Sequence, residues 1–299
     1  MARDWVSRQR KRLAPRYSAL LLARLEADIF PHIGSRPIAE IGAPELLEAL
    51  RKVEKRGVIE TARRLRQSCG QVFRYAIATG LAKYDPSAAL RGALGSPGRA
   101  RGHKAMPLNE VPTFLKALEN YDGDARTRIA LRLMVLTFAR TTELRSAQWS
   151  EFENLEDKEP LWRIPSDRTK MKREHLVPLA PQAVALLQEL RSLPGSQASP
   201  FLFPSPSRDG FMSNNTMLYA LYRMGYHGRA TVHGFRAMAS TALNEKGFRP
   251  DVIERQLAHQ EKNAVRAAYN RAEYLNERRA MLTYWADQLD AMADGNIVT

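Results

Sequence analysis

The feature that most constrains this chain is the stretch 91–105, RGALGSPGRARGHKA. Four glycines and a proline break any helical or strand period, and Arg91, Arg99, Arg101 and Lys104 leave it basic. A chain of 299 residues interrupted in this way is expected to fold as two bodies rather than one. The boundaries read as a front domain over 1–95, a basic linker over 96–106 and a rear domain over 107–299. The two parts also differ in charge. Residues 1–100 hold 19 Lys/Arg against 9 Asp/Glu, whereas residues 101–299 hold 27 against 23. The overall excess of +14 at a pI near 10.1 points to a polyanionic partner, and the front third is the more cationic surface.

The front third patterns as helices alone. Residues 15–29 carry Leu20, Leu21, Leu25 and Ile29 at helical spacing, with Pro31 beyond the end. Residues 44–56 begin with Pro44 and line up Leu46, Leu47, Leu50 and Val53. Residues 59–79 predict a longer helix with Val72, Phe73 and Ile77 apolar and Gly80 as its stop. Its Arg63, Arg64, Arg66 and Arg74 are candidate contacts to DNA phosphates. The rear part is mixed. Helices are expected over 108–120, 124–139, 181–192, 213–224 with Ser213 as N-cap, 233–246 ended by Gly247, 250–258 and 263–291. A small antiparallel pair is expected from Trp162–Pro165 and His175–Pro178, joined by the polar turn 166–174. The fold class is thus mainly α with a small antiparallel sheet.

Several classes are excluded. The single cysteine, Cys69, permits no internal disulfide framework and no Cys-rich zinc site. No apolar run approaches the roughly 20 residues that span a bilayer, and MARDWVSRQRKR lacks the apolar core of a signal peptide. No membrane partner is expected, and the location is expected to be cytoplasmic, on DNA.

The polar residues of the rear half form an ordered set. Arg140 follows the apolar run LRLMVLTF, where a charge is costly unless paired, and Glu143 is placed to orient it. Lys170, Lys172 and Arg173 make a cationic hairpin tip. His233 and Arg236 open a helix at i and i+3, so they share a face. His259 ends QLAH, and Tyr269 follows Arg266-Ala267-Ala268. Together these residues suit attack on a phosphodiester by a phenol. Two arginines clamp the nonbridging oxygens, a tyrosine forms the covalent intermediate, a lysine protonates the leaving oxygen, and histidines orient the phosphate or shuttle the proton. Guanidinium groups supply the positive charge, so neither a metal nor another cofactor is expected.

In that order the boxes ARTTEL (139–144), the lysine seven residues before Val177 of LVPL, HGFR (233–236), QLAH (256–259) and AAYN (267–270) resemble the tyrosine recombinases, of the bacteriophage and genomic-island integrase type. Tyr274-Leu275 and Arg278-Arg279 extend the likeness. The resemblance selects Lys170 over Lys172 and Arg173 as the catalytic lysine, the other two serving as DNA contacts. It also selects Tyr269 over Tyr274 and Tyr284 as nucleophile. It implies a helical, SAM-like core-binding domain and an α+β catalytic domain clamped around duplex recombination sites. Arg91, Arg99, Arg101 and Lys104 of the linker would lie along phosphates. A 3′-phosphotyrosyl bond and a Holliday junction would be formed by a homotetramer on synapsed DNA, monomeric without it. An accessory directionality factor or a host DNA-bending protein would be a further partner. A catalytically silent DNA-binding regulator and a type IB topoisomerase-like strand relaxer are the competing readings.

Three features stay open. The chain begins almost at the core-binding helices, so an arm-binding domain belongs to a longer protein or is dispensed with. Ala139 and Thr141-Thr142 stand where relatives often place Gly or Pro, which leaves the turn geometry around Arg140 to be found. The last helix, with Leu282, Trp285, Leu289 and Met292, packs either on its own domain or on a neighbouring protomer.

Overall fold

A computed structural model describes residues 1–9, 12–13, 15–96, 105–259 and 272–295. The chain divides into two compact units, Met1–Arg101 and Gly102–Thr299, each with its own apolar core.

Among its described residues the front unit is all helical: α1 (Ala2–Gln9), α2 (Pro15–Asp28), α3 (Phe30–Ile33), α4 (Ala43–Lys55) and α5 (Ile59–Ala78). In α4, Leu46, Ala49, Leu50 and Val53 are buried at i, i+3, i+4 and i+7, while Glu45 accepts the Gly42 N–H at 3.1 Å before the first turn. In α5 the buried stripe runs Ala62, Leu65, Cys69, Val72, Phe73 and Ala76. It stops where Gly80 takes φ +75 and lets Leu81 N–H reach Ala76 O at 2.8 Å. Two sequence expectations fail on facing. Leu21, Leu25 and Ile29 are buried, but Leu20 is 45% exposed, because one residue is 100° of helix and Leu20 shares the outer line with Tyr17. Ile77 is likewise outward on α5. The helix α1, which the opening residues did not signal, buries Trp5 and Val6.

The rear unit comprises α6 (Val111–Glu119), α7 (Ala125–Thr137), α8 (Thr141–Arg145), β1 (Phe152–Glu153), β2 (Leu161–Ile164), β3 (His175–Pro178), α9 (Pro181–Ser192), α10 (Thr216–Arg223), α11 (Gly234–Glu245), α12 (Pro250–Gln256) and α13 (Leu275–Ala293). The strands are antiparallel in the order β1-β2-β3, with Leu161 opposite Pro178 and Ile164 opposite His175. The two-residue β1 was too short to leave a pattern. It is held by Phe152 stacked on the buried Trp162, centroids 5.3 Å apart, and by Arg163 bridging Glu153 and Glu174.

Several helix limits differ from the sequence reading: the helix expected over 108–120 opens as a 3-10 turn at Leu108–Glu110 before α6, and the one expected over 124–139 ends at Thr137. The helix expected over 213–224 begins at Thr216, because the Ser213 hydroxyl accepts from Asn215 N–H at 3.3 Å and meets Thr216 Oγ1 at 2.9 Å, closing a turn rather than a cap. The helix expected over 263–291 is not continuous. Residues 272–274 are non-helical, Tyr274 takes φ +49, and α13 starts at Leu275. Its Leu282, Trp285 and Leu289 are buried in their own unit, and Trp285 Nε1 donates to Val135 O at 2.9 Å. α13 thereby packs on α6, α7, α11, α12 and β3 of its own unit.

Leu50 is fully buried in the front core. Leu50→Ala should cost about 2–5 kcal/mol, read in urea unfolding as an earlier transition of the front unit with the rear-unit transition unmoved.

Candidate active site

The site is built on two left-handed turns. α7 ends at Phe138, a buried residue with φ +37 whose N–H bonds Met134 O at 3.0 Å. A non-glycine residue pays roughly 1–2 kcal/mol in that conformation, so tertiary contacts must hold it. The chain then extends through Ala139 and Arg140 and restarts as α8. Because Phe138 takes the turn, neither Ala139 nor Thr141-Thr142 needs the backbone freedom of glycine. The second turn follows α12, where Ala258 takes φ +48 and His259 N–H returns to Glu254 O at 3.1 Å.

Three side chains tie these turns together. Arg236, in the first turn of α11 and 5% exposed, donates from Nη1 to Phe138 O at 2.5 Å and from Nη2 to Leu257 O at 2.6 Å. Arg140 donates from Nη2 to Ala258 O at 2.8 Å. The fully buried Gln256 donates to Thr137 O at 3.0 Å. Residues 137, 138 and 140 are thereby stitched to 256, 257 and 258.

Glu143 accepts from Arg140 twice, at the backbone N–H and at Nη1, each at 2.9 Å. Its carboxylate is almost completely buried, so the pair is a stiff mount for the Arg140 guanidinium. Burial, and Arg140 close by, lower the Arg236 guanidinium to about 10, which still leaves it charged at neutral pH. Two cations therefore share one carboxylate, and the site keeps a positive excess suited to a dianionic transition state.

The hairpin loop is anchored by a residue that the sequence reading passed over. Arg168 reaches the Glu151 carboxylate, Glu143 O at 2.5 Å and Ser146 Oγ at 3.0 Å, which fastens the loop to α8. The buried Thr169 hydroxyl donates to Arg173 O at 2.7 Å and accepts the Arg173 N–H at 3.1 Å. Lys170, beside that pin, is exposed, and its ammonium has no hydrogen bond or ion pair among the described residues. Lys172 takes φ +54 and turns its ammonium back to Asp167 O at 2.9 Å, and Arg173 is exposed.

His259 pairs Nδ1 with Glu254 at 2.7 Å, and His233 stands exposed at the N-cap of α11. The structure thus brings Arg140, Glu143, Arg236 and the start of the His259 turn together, with Lys170 on a loop bolted to the same α8. Tyr269 lies outside the described residues, as do Arg99, Arg101 and Lys104. In the front unit Arg64 pairs with Glu60, Arg74 with Asp85, and Arg66 donates to Ser87 O, while Arg63 and Arg91 are exposed. Arg66, Arg74 and Arg91 line one open cleft.

His175, Gln256 and Arg278 also belong to this region and were not anticipated. Each had a signal, since a polar residue stands where the apolar period demands a buried one. Arg278 lies on the stripe of Met281, Leu282, Trp285 and Leu289, and His175 points inward two residues before Val177. Among the described residues no group of three or more His, Cys, Asp or Glu is placed to hold a metal ion, and no helix is long and apolar enough to cross a membrane.

A family profile for the phage integrase central domain matches residues 1–93, and the phage integrase family profile matches residues 104–275. The integrase of Enterobacteria phage P4 is 42% identical over 307 residues, covering 97% of this chain and 68% of its own length. A crystal structure of a lambda integrase (75-356) dimer bound to a COC′ core site aligns with a TM-score of 0.66 at 20% identity, covering 87% of this chain and 96% of that one. A lambda integrase tetramer bound to a Holliday junction aligns at 0.65 and 17% identity, covering 91% and 77%. The chain belongs to the phage integrase family. It is a site-specific DNA recombinase of the tyrosine type, an integrase of a mobile element.

The imidazole of His175 is lowered to about 3 by burial and by Arg278, Arg140 and Arg236 around it. Unfolded, it titrates near 6.5, so folding requires the neutral form. The stability this contributes is complete above about pH 6.5 and is lost as pH falls toward 3. Melting temperature should therefore fall through that window, and His175→Gln should flatten the acid limb. An unchanged limb would contradict the placement.

Proposed function

We propose that the chain cleaves and rejoins duplex DNA by transesterification at one phosphate held by Arg140 and Arg236. Tyr269 attacks the phosphorus. The new bond is tyrosyl oxygen to phosphorus, the broken bond is phosphorus to the 5′-oxygen, and a 3′-phosphotyrosyl linkage stores the energy for resealing. Lys170 delivers a proton to the departing 5′-oxygen, and His259, steadied by Glu254, takes part in moving the phenolic proton or in holding a nonbridging oxygen. His233, beside Arg236, orients the same phosphate. Religation by the 5′-hydroxyl of the partner strand reverses each step.

The observation that carries this reading is the stitching of the two turns. It sets two buried-rim guanidinium groups side by side and rigidly, where charge on a pentacoordinate phosphate would accumulate. The front unit, with Arg63, Arg64, Arg66, Arg74 and Arg91, grips the backbone, and the basic linker with Arg99, Arg101 and Lys104 lies along it. Lys172 and Arg173 add phosphate contacts at the hairpin. The lambda integrase tetramer on a Holliday junction supports assembly of four protomers on two synapsed sites. Partner proteins that bend DNA or bias direction would act on that assembly.

Nicked suicide DNA carrying the cognate site should trap a covalent protein–DNA adduct, and Tyr269→Phe should abolish it. Absence of an adduct would leave a silent DNA-binding regulator. Relaxation of supercoils without any specific site would favour a topoisomerase. Arg140→Ala should slow adduct formation by about 100- to 1,000-fold and, by leaving the buried Glu143 carboxylate unpaired, should also lower the melting temperature.

Binding to duplex DNA should also fall steeply between about 50 and 200 mM salt. Charge reversal of Arg63 and Arg66 should reduce the slope of log affinity against log salt. A flat salt response would remove the front unit from the proposed grip.

A further inference from the structure

Arg278 is a charged residue at a position the fold reserves for hydrophobes. Its side chain has no solvent exposure and sits on the apolar stripe of α13. Burying a guanidinium costs several kcal/mol unless its donors are matched, and apolar residues of similar volume often serve stability as well or better. Four of its five N–H donors are nevertheless matched by hydrogen bonds. Nε and Nη2 both donate to Gln256 Oε1, at 3.0 and 2.6 Å. Nη2 also donates to Leu176 O, and Nη1 reaches Glu273 O at 3.3 Å with the Glu273 carboxylate 3.7 Å away. Arg255 lies 3.7 Å from the other oxygen of that carboxylate.

The three acceptors lie on three different functional elements. Gln256 closes α12 directly before Leu257 and Ala258. With its oxygen held by Arg278, its amide must present N–H to Thr137 O, whereas a flipped amide would set oxygen against oxygen. Leu176 belongs to the strand that returns from the Lys170 hairpin. Glu273 follows Tyr269 by four residues in the sequence.

We propose that Arg278 is a positioning residue for strand cleavage, which sets the mutual register of the Arg140–His259 turns, the Lys170 strand and Glu273 without touching DNA. The proposal rests on the transesterification reading above. A structural arginine would affect stability, DNA binding and cleavage together. A positioning arginine affects cleavage far more than binding, because an error of about 1 Å among reacting groups costs roughly a hundredfold in rate.

The test is single-turnover cleavage of nicked suicide DNA by the full chain, alongside affinity for the intact site and thermal melting. Arg278→Lys keeps the charge but not the fork. It should form the adduct about a hundredfold more slowly while its affinity stays close to that of the parent. The paired change Gln256→Leu with Arg278→Leu removes charge and acceptor together, so that folding survives, and it should show the same split. Cleavage at the parental rate in either variant overturns the proposal, and so does a loss of affinity or melting temperature that matches the loss of rate. If the parent chain forms no adduct at all, the transesterification reading falls and this proposal falls with it.

Discussion

The active-site half of this protein depends on one interaction: the Arg236 guanidinium bridging the carbonyls of Phe138 and Leu257. Each carbonyl lies at or beside a turn in which a non-glycine residue adopts a left-handed conformation, a state that does not persist unless the surroundings enforce it. Arg236 supplies that enforcement with two charge-assisted hydrogen bonds in a buried setting. Arg140 and Gln256 repeat the stitch on either side. The same cations that hold the turns are the ones proposed to bind the phosphate, so that architecture and chemistry would use one set of guanidinium groups.

Around this pair the polar groups are arranged in tiers. Glu143 carries Arg140, Arg168 ties the hairpin to α8, and Arg278 backs Gln256. His175, kept neutral among three arginines, fills the space between them without adding charge. Burial first, and then the repulsion a fourth cation would meet from the three arginines, account for the depressed basicity. The positive excess at the site is thus small and localised. The larger excess, in the first hundred residues, is spread over an exposed helical surface where solvent moderates it.

Much of this was legible in the sequence where a periodic pattern had length to express itself. α4, α5, α9 and α11 fall within a residue or two of their expected limits, and the Gly/Pro-rich basic stretch contains the point at which the units divide. Arg140, Glu143 and Arg236 could be chosen because they occur in ordered boxes. What the sequence hid was short or two-sided. β1 has only two residues, Leu20 sits on a stripe that periodicity alone could not orient, and the break at 272–274 lies in a run whose residue types all suit a helix. Arg168 was hidden for another reason, and Arg278 showed only as a charge on an apolar stripe, with its partners unseen. Their roles are hydrogen bonds to backbone carbonyls distant in sequence, and no composition or spacing announces an acceptor that only the fold creates.

In the proposed reaction Arg140, held by the opposed turns, neutralises charge on the nonbridging oxygens of one phosphate. Substituting a neutral methylphosphonate at the scissile position removes that charge while keeping the phosphorus centre. The direct measurement is adduct formation by Arg140→Ala on matched phosphate and methylphosphonate suicide substrates. Arg140→Ala should show a strong defect on the phosphate and recovery toward the unsubstituted chain's rate on the methylphosphonate. An equal defect on both substrates would contradict it.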